Sequence, residues 1–281
     1  MWRDDQIRTN VRYLQPCNFS VALAPAPLPI SHVQVWQVDI DLKTSPCFTP
    51  ECILSKDEIA REQSFKEVAD ANRFLATRTA LRLLLSASMN MNLHPKLVRL
   101  TQDTHGKLVL ADAQRVDFNV SHSGSQALIA ISTNGPVGID IEKRCMNFNW
   151  VTVASHLLTA CESRYIDTLP FALACNVFYD TWVAKEAFLK ALGFGIMYPL
   201  TAFSVLAEHI PLSTHVNCHR GKMQFLPTTN MDDERGVAIP HIHEPGELTQ
   251  LSTFRGNWLL VTEGYSAFIV WSTKAQESAQ Q

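Results

Sequence analysis

The alternation of apolar and polar residues divides the chain into period-two and helical stretches. Residues 1 to about 30 carry Pro25, Pro27 and Pro29, which predicts an extended arm packed on the body. HVQVWQVDI at 32–40 alternates and predicts the first strand. Ser55-Lys56-Asp57-Glu58 has the form of a capping box, and the stretch after it to 89 lacks Gly and Pro and spaces Phe74, Leu81, Leu84 and Leu85 as a helical region of one or two helices. Strands are expected at 97–101 and 108–110 around a turn at 104–107. Helical patterns follow at 150–169, ending at Pro170, and at 171–192, where Phe171, Cys175, Phe178, Trp182 and Leu189 recur and Gly193 stops the run. Beyond them lie strands at 202–206, 222–226, 258–262 and 266–271, a long loop at 228–247 and a frayed tail at 273–281.

The chain is organised around residues 118–144, FNVSHSGSQALIAISTNGPVGIDIEKR. In Val137-Gly138-Ile139-Asp140-Ile141-Glu142, apolar and acidic residues alternate, so Asp140 and Glu142 point one way and Ile139 and Ile141 the other. Carboxylates about 6 to 7 Å apart on a strand repel by roughly 2 to 3 kcal/mol at an effective dielectric of 20. Solvent or a basic side chain would offset this, and so would a hard divalent cation such as Mg²⁺; the strand alone leaves both open. Just upstream, Asn119, Ser121, His122 and Ser123 form a polar knot before Gly124, suited to capping its own loop or to gripping an anion.

Composition narrows the class. The chain has 281 residues, 46% hydrophobic and 18% charged, which suits one large or two modest globular domains. A net charge of -3 supplies no basic field for nucleic acid, so an anion site must be local. Seven cysteines without a C-x-x-C pair read as reduced thiols, and Cys218, His219, His241 and His243 fit no standard zinc spacing. The N-terminus lacks a secretory pattern and no apolar run approaches membrane-spanning length, so the cytoplasm is expected.

Two helical faces carry charge. Arg61, Lys66, Arg73, Arg78 and Arg82 make a basic face that could meet phosphates, although a solvated face paired with Glu62, Glu67 and Asp70 is the favoured reading. On the later helix, Trp182, Glu186 and Lys190 share a face, which by itself is an i,i+4 salt bridge beside a core tryptophan.

FNVSHSG at 118–124, VGIDIEK at 137–143 and WVAKEAFLKALGFG at 182–195 resemble, in order, the three core motifs of the larger, monomeric 4′-phosphopantetheinyl transferases. Ala69-Asp70-Ala71-Asn72-Arg73 is similar to that family's basic helix and Gly106-Lys107 to its Gly-Lys turn; the usual proline after the lysine is missing, and Thr77-Arg78 stands where glycine is common. The resemblance implies an α+β fold of two similar α/β subdomains, 31–135 and 136–272, related by pseudo-twofold symmetry, with the active site in the cleft between them. It implies transfer of 4′-phosphopantetheine from coenzyme A to a serine of an apo acyl or peptidyl carrier protein of a peptide, polyketide or fatty-acid synthase. By the same resemblance Asp140, Glu142 and Glu186 hold Mg²⁺, Asp140 also touching the cofactor. Glu186, or a metal-bound water, takes the serine proton and Lys190 neutralises phosphate charge. Ser121 and His122 bind phosphate oxygens, Arg73 lies by the adenosine, Lys107 by the nucleotide or pantetheine edge, and Lys185 supports the helix or contacts phosphate. A module that binds coenzyme A or a carrier protein without transfer, and a Mg²⁺-dependent phosphohydrolase, are the alternatives.

Overall fold

The computed structural model describes residues 11–14, 33–43, 49–88, 93–112, 116–133, 135–194, 198–205, 226–227 and 254–272. The loop at 228–247, the histidines and cysteine at 218–243, the strand expected at 222–225 and the tail lie outside them.

The first half begins with β1 (Val11–Leu14) and β2 (Val33–Asp39). β1 pairs in parallel with β2, so part of the expected arm is an edge strand. Two helices follow, α1 (Lys56–Gln63) and α2 (Val68–Ser88). The Ser55–Glu58 capping box that starts α1 is formed in both directions. A 3-10 turn at Pro95–Leu97 displaces the next strand, so β3 is Leu100–Gln102 and pairs with β4 (Leu108–Leu110). The hairpin β5 (Asp117–Ser123) and β6 (Gln126–Ser132) completes a sheet of order β1-β2-β6-β5.

The second half opens with β7 (Val137–Lys143). The helical stretch at 150–169 is two helices, α3 (Val151–Leu157) and α4 (Ala160–Asp167), because Thr159 and Glu162 form a capping box that starts a new helix. Helix α5 (Phe171–Leu192) ends at Gly193, whose φ of 75° is a left-handed cap. The short β8 (Phe203–Ser204) pairs with β9 (Leu226–Pro227), and β10 (Phe254–Trp258), β11 (Tyr265–Ser272) and β7 form an antiparallel sheet of order β10-β11-β7. β10 precedes the position its apolar pattern suggested, since Leu259–Val261 lead into the turn to β11.

The architecture is mixed α/β, and its layers follow from the alternation. One face of β6 gives Ala127, Ile129 and Ile131 to a core with Ala80, Leu81, Leu84 and Leu85 of α2. Its other face gives Leu128 and Ala130 to a core with Ile139, Ile141, Ala267 and Ile269 of the second sheet. The far face of that sheet, through Phe268 and Val270, packs on Ala184, Ala187, Phe188 and Ala191 of α5. Gly138 permits this approach, since a Cβ there would lie 2.0 Å from the Ala187 carbonyl oxygen. Among the described residues no helix is long and apolar enough to cross a membrane.

Candidate active site

Asp117, Asn119, Ser121 and Ser123 alternate along β5 and turn toward the free edge of β7. No backbone ladder joins these strands; side chains serve instead. The amides of Val137, Ile139, Ile141 and Lys143 donate to Asp117 Oδ2 (2.8 Å), Asn119 Oδ1 (2.9 Å), Ser121 Oγ (3.4 Å) and Ser123 Oγ (3.0 Å). Each donation satisfies an amide that would otherwise be stranded between the sheets. The polar knot thus caps the neighbouring strand rather than its own loop. Phe118 of the same strand faces the α2 core.

The hydroxyls on this ladder also hold the carboxylates. Ser121 Oγ donates to Asp140 Oδ1 at 2.7 Å, and Ser123 Oγ donates to Glu142 Oε2 at 2.8 Å. From α5, Lys190 Nζ donates to Asp140 Oδ1 at 2.6 Å and to Ser121 Oγ at 3.3 Å. Asp140, Glu142, Glu186, Lys190, Ser121, His122 and Trp182 all line one cleft of about 850 Å³. Its opposite wall comes from Arg61 of α1, Phe74, Thr77 and Arg78 of α2, and the β3–β4 hairpin.

Burial and mutual repulsion set the charge states. Burial, with Asp140 beside it, pushes the Glu142 carboxyl up to about 7. Burial also raises Glu186, against the opposing pull of Lys190 and with Asp140 reinforcing it. His122, exposed to solvent yet walled by the cleft, is lowered by the partial loss of water around its ring, with Arg73 and Lys190 contributing. An imidazole held neutral near pH 7 can donate one hydrogen bond and accept another.

The carboxylates suit a hard divalent cation by donor type. Asp140 Oδ2 is buried without a hydrogen-bond partner, an orphaned acceptor of the kind a cation satisfies. Burial raises the affinity of Glu142 and Glu186 for protons by more than Lys190 offsets. Among the described residues, no three acidic, histidine or cysteine side chains are already closed into a metal cage. Lys190 stands against Asp140 in that space.

Three expected cofactor residues stand apart from the cleft lining. Lys185 is fully buried, and its amine is committed to Glu162 Oε2 (2.6 Å), Leu157 O (2.9 Å) and Leu200 O (2.7 Å). With all its protons donated it has none for a phosphate, so of the two roles offered for it, helix support is the one the geometry allows. Lys107 Nζ reaches Asp117 (3.2 Å) and the Val137 carbonyl (3.4 Å), steadying the first rung of the ladder. Arg73 bonds Asp70, as the helical pairing suggested, and donates from Nε to Gly124 O at 3.0 Å.

The basic face is solvated only in part: Arg61 and Lys66 are exposed and Arg73 pairs with Asp70, but two arginines of α2 turn inward. Arg82 is buried against Glu58 at 2.6 Å, and Arg78 reaches the other oxygen of Glu58 at 3.3 Å. Arg61 and Arg78 both lie over the Phe74 ring, at 5.6 and 5.4 Å from its centroid. Sequence reasoning had noted these arginines, but the cue that would have turned them inward, a shared partner in the capping-box glutamate, is a tertiary one.

Comparisons with known proteins bear on the family. A model of the 4′-phosphopantetheinyl transferase superfamily matches residues 136–231, and one of the N-terminal part of 4′-phosphopantetheinyl transferases matches residues 47–134. A putative 4′-phosphopantetheinyl transferase of Synechocystis sp. is 34% identical over 165 residues, 58% of this chain and 65% of that protein, so the match spans just under two thirds of it. The 4′-phosphopantetheinyl transferase HetI of Nostoc sp. is 30% identical over 167 residues, 58% of this chain and 70% of HetI. Sfp of Bacillus subtilis, also named a 4′-phosphopantetheinyl transferase, is 29% identical over 213 residues, 71% of this chain and 88% of Sfp. The chain belongs to the 4′-phosphopantetheinyl transferase superfamily.

Proposed function

We propose that the protein transfers the 4′-phosphopantetheine group of coenzyme A to a serine hydroxyl of an apo acyl or peptidyl carrier protein, releasing adenosine 3′,5′-bisphosphate. The carrying observation is the convergence of Asp140, Glu142, Glu186 and Lys190 on one cleft of a chain that belongs to this superfamily. Mg²⁺ would be held by Asp140, Glu142 and Glu186; when bound, it supplies charge neutralisation for the diphosphate and for the clustered carboxylates.

The protein's own groups do the rest. Glu186, made more basic by burial, accepts the serine proton directly or through a water as the hydroxyl oxygen attacks the phosphorus next to pantetheine. Lys190 places its amine where negative charge grows on the departing bisphosphate. His122 reaches phosphate oxygens from β5, and Ser121 would do so only by taking its one proton from Asp140. Arg61 and Arg78 supply positive charge on the opposite wall, and Arg73 and Lys107 would reach the cofactor only by leaving their present partners.

The acceptor would dock beside β7. Phe194 and Tyr198 stack on each other at 5.4 Å and pack against the α5 core. Exposed apolar side chains lie instead at Met146, Phe148, Val151 and Phe171, close after Glu142 and around Trp150. Because the cleft is built within one chain, we take the working unit to be a monomer, and the cytoplasm is its proposed compartment.

The test is intact mass of a panel of apo carrier proteins incubated with the protein, coenzyme A and Mg²⁺. A gain of one phosphopantetheine that EDTA abolishes is the expected result. No gain on any carrier, with coenzyme A cleaved in its absence, would replace transfer by hydrolysis.

A further inference from the structure

We infer that Tyr265 is a positioning residue for the cleft: its hydroxyl pins the β5–β6 turn to the second sheet and thereby sets where Ser121, His122 and Ser123 stand over Asp140 and Glu142. The role in turnover rests on the transferase reading above; the geometric part does not.

The turn at Gly124–Ser125 is gripped from both halves of the molecule. From the second half, the Tyr265 hydroxyl accepts the Ser125 amide at 3.1 Å and meets Ser125 Oγ at 3.3 Å. From the first, Arg73 donates to the Gly124 carbonyl at 3.0 Å. The fit leaves no slack: Gly124 has φ +55°, and a Cβ there would lie 2.5 Å from the Tyr265 hydroxyl and 3.0 Å from the Lys143 side chain. Tyr265 itself starts β11 in register with Lys143, so the residue that holds the turn is paired to the strand bearing the carboxylates.

The contact extends the side-chain ladder. Its rungs rise from β5 at 117, 119, 121 and 123, and the next position in the same period is Ser125, whose backbone meets Tyr265. The lower rungs, at Asp117 and Asn119, lie toward the end of the β5–β6 pairing remote from the turn. The upper rungs, at Ser121 and Ser123, hold the carboxylates and lie beside the turn. Loss of the pin should therefore loosen the Glu142 end first. The ring belongs to the core between the sheets, and phenylalanine preserves that packing while removing only the hydroxyl.

The experiment is Tyr265→Phe, read by amide hydrogen exchange and by steady-state kinetics. Exchange should quicken at Ser125 and Lys143 while Val137 and Ile139 keep their protection. The KM for coenzyme A and the half-saturating Mg²⁺ concentration should each rise about fivefold, the scale of one neutral hydrogen bond, with kcat at saturation nearly unchanged. Exchange and KM both at wild-type values would overturn the inference. So would faster exchange throughout β7 and β11 with KM unmoved, which is what a merely structural tyrosine would give. Should the variant not fold, wild-type exchange decides: Ser125 and Lys143 must open together, and independent openings overturn the pin. Absence of carrier modification by the wild-type protein defeats the transferase reading but leaves the exchange pattern as expected.

Discussion

Helix α5 presents lysine–carboxylate pairs to two different regions, and the contrast separates support from chemistry. Lys185 and Glu162 are both fully buried and completely satisfied, the carboxylate also accepting Thr159 N (2.8 Å), Ser204 Oγ (3.0 Å) and Val205 N (2.9 Å). That pair ties α4, α5 and the approach to β8 into one knot. Burial lowers the proton affinity of Lys185 and the adjacent Glu162 opposes it. Lys190 and Asp140 make an equally short contact, but the lysine is 28% exposed and an oxygen of the aspartate is left over. Saturation makes a joint; incompleteness at the wall of a cleft makes a site.

The strongest way to break the contrast is to empty the incomplete pair's surroundings. Glu186→Ala should lower the rate of carrier modification by at least about 10²-fold, with the thermal midpoint close to wild type; an unchanged rate in the mass assay would remove Glu186 from the site. Lys190→Met should behave alike in rate and should also cost some stability, because buried Asp140 then keeps only the Ser121 hydroxyl. Lys185→Ala should do the reverse. Leaving Glu162 charged and unpaired should cost about 3 to 5 kcal/mol of stability, measurable by urea unfolding, while the turnover of the folded fraction stays near normal. Adding Glu162→Gln, which removes the stranded charge while its single amide oxygen keeps the Ser204 and Val205 contacts, should recover part of that loss.

A smaller effect comes from pH. Glu142 binds its proton more tightly in the folded protein than an ordinary carboxylate, so its contribution favours folding at low pH and fades as pH rises toward about 7. Mg²⁺ requires the ionised form, so affinity measured by titration calorimetry should strengthen as pH rises through about 7, with proton release on binding. The Glu142→Gln variant should lose that pH dependence. The least effect is expected at the docking patch: Phe148→Asp should raise the KM for carrier protein several-fold, on the order of one buried aromatic contact, and leave the KM for coenzyme A unmoved.

Much of this was legible in the sequence where local chemistry and tertiary demand coincide. Helix 171–192 is bounded by a proline and a glycine, and alternation puts Asp140 with Glu142 on one strand face and Glu186 with Lys190 on one helix face, while only the family resemblance joined the two faces that the fold brings to one cleft. Thr159-x-x-Glu162 carried a capping signal inside the stretch read as continuous helix, and the second helix began there. Other features were hidden because they depend on a partner. Whether Lys185 met phosphate or supported the helix turned on Glu162, far upstream; whether Arg82 met water turned on Glu58. The alternation of Asp117, Asn119, Ser121 and Ser123 was present in the sequence, but nothing local says that a polar face will serve the amides of a strand in another sheet.

That ladder has a consequence for how the protein matures. The hydroxyls that orient the carboxylates belong to the first half of the chain, and the carboxylates and lysine to the second. Before the second half is made, the serines of β5 have no strand to serve and Val33, Val35, Leu128 and Ala130 have no sheet to cover them. The cleft acquires its chemistry only when the later strands arrive and their amides dock. A chain that stops before β7 therefore lacks the carboxylates and the lysine that line the cleft.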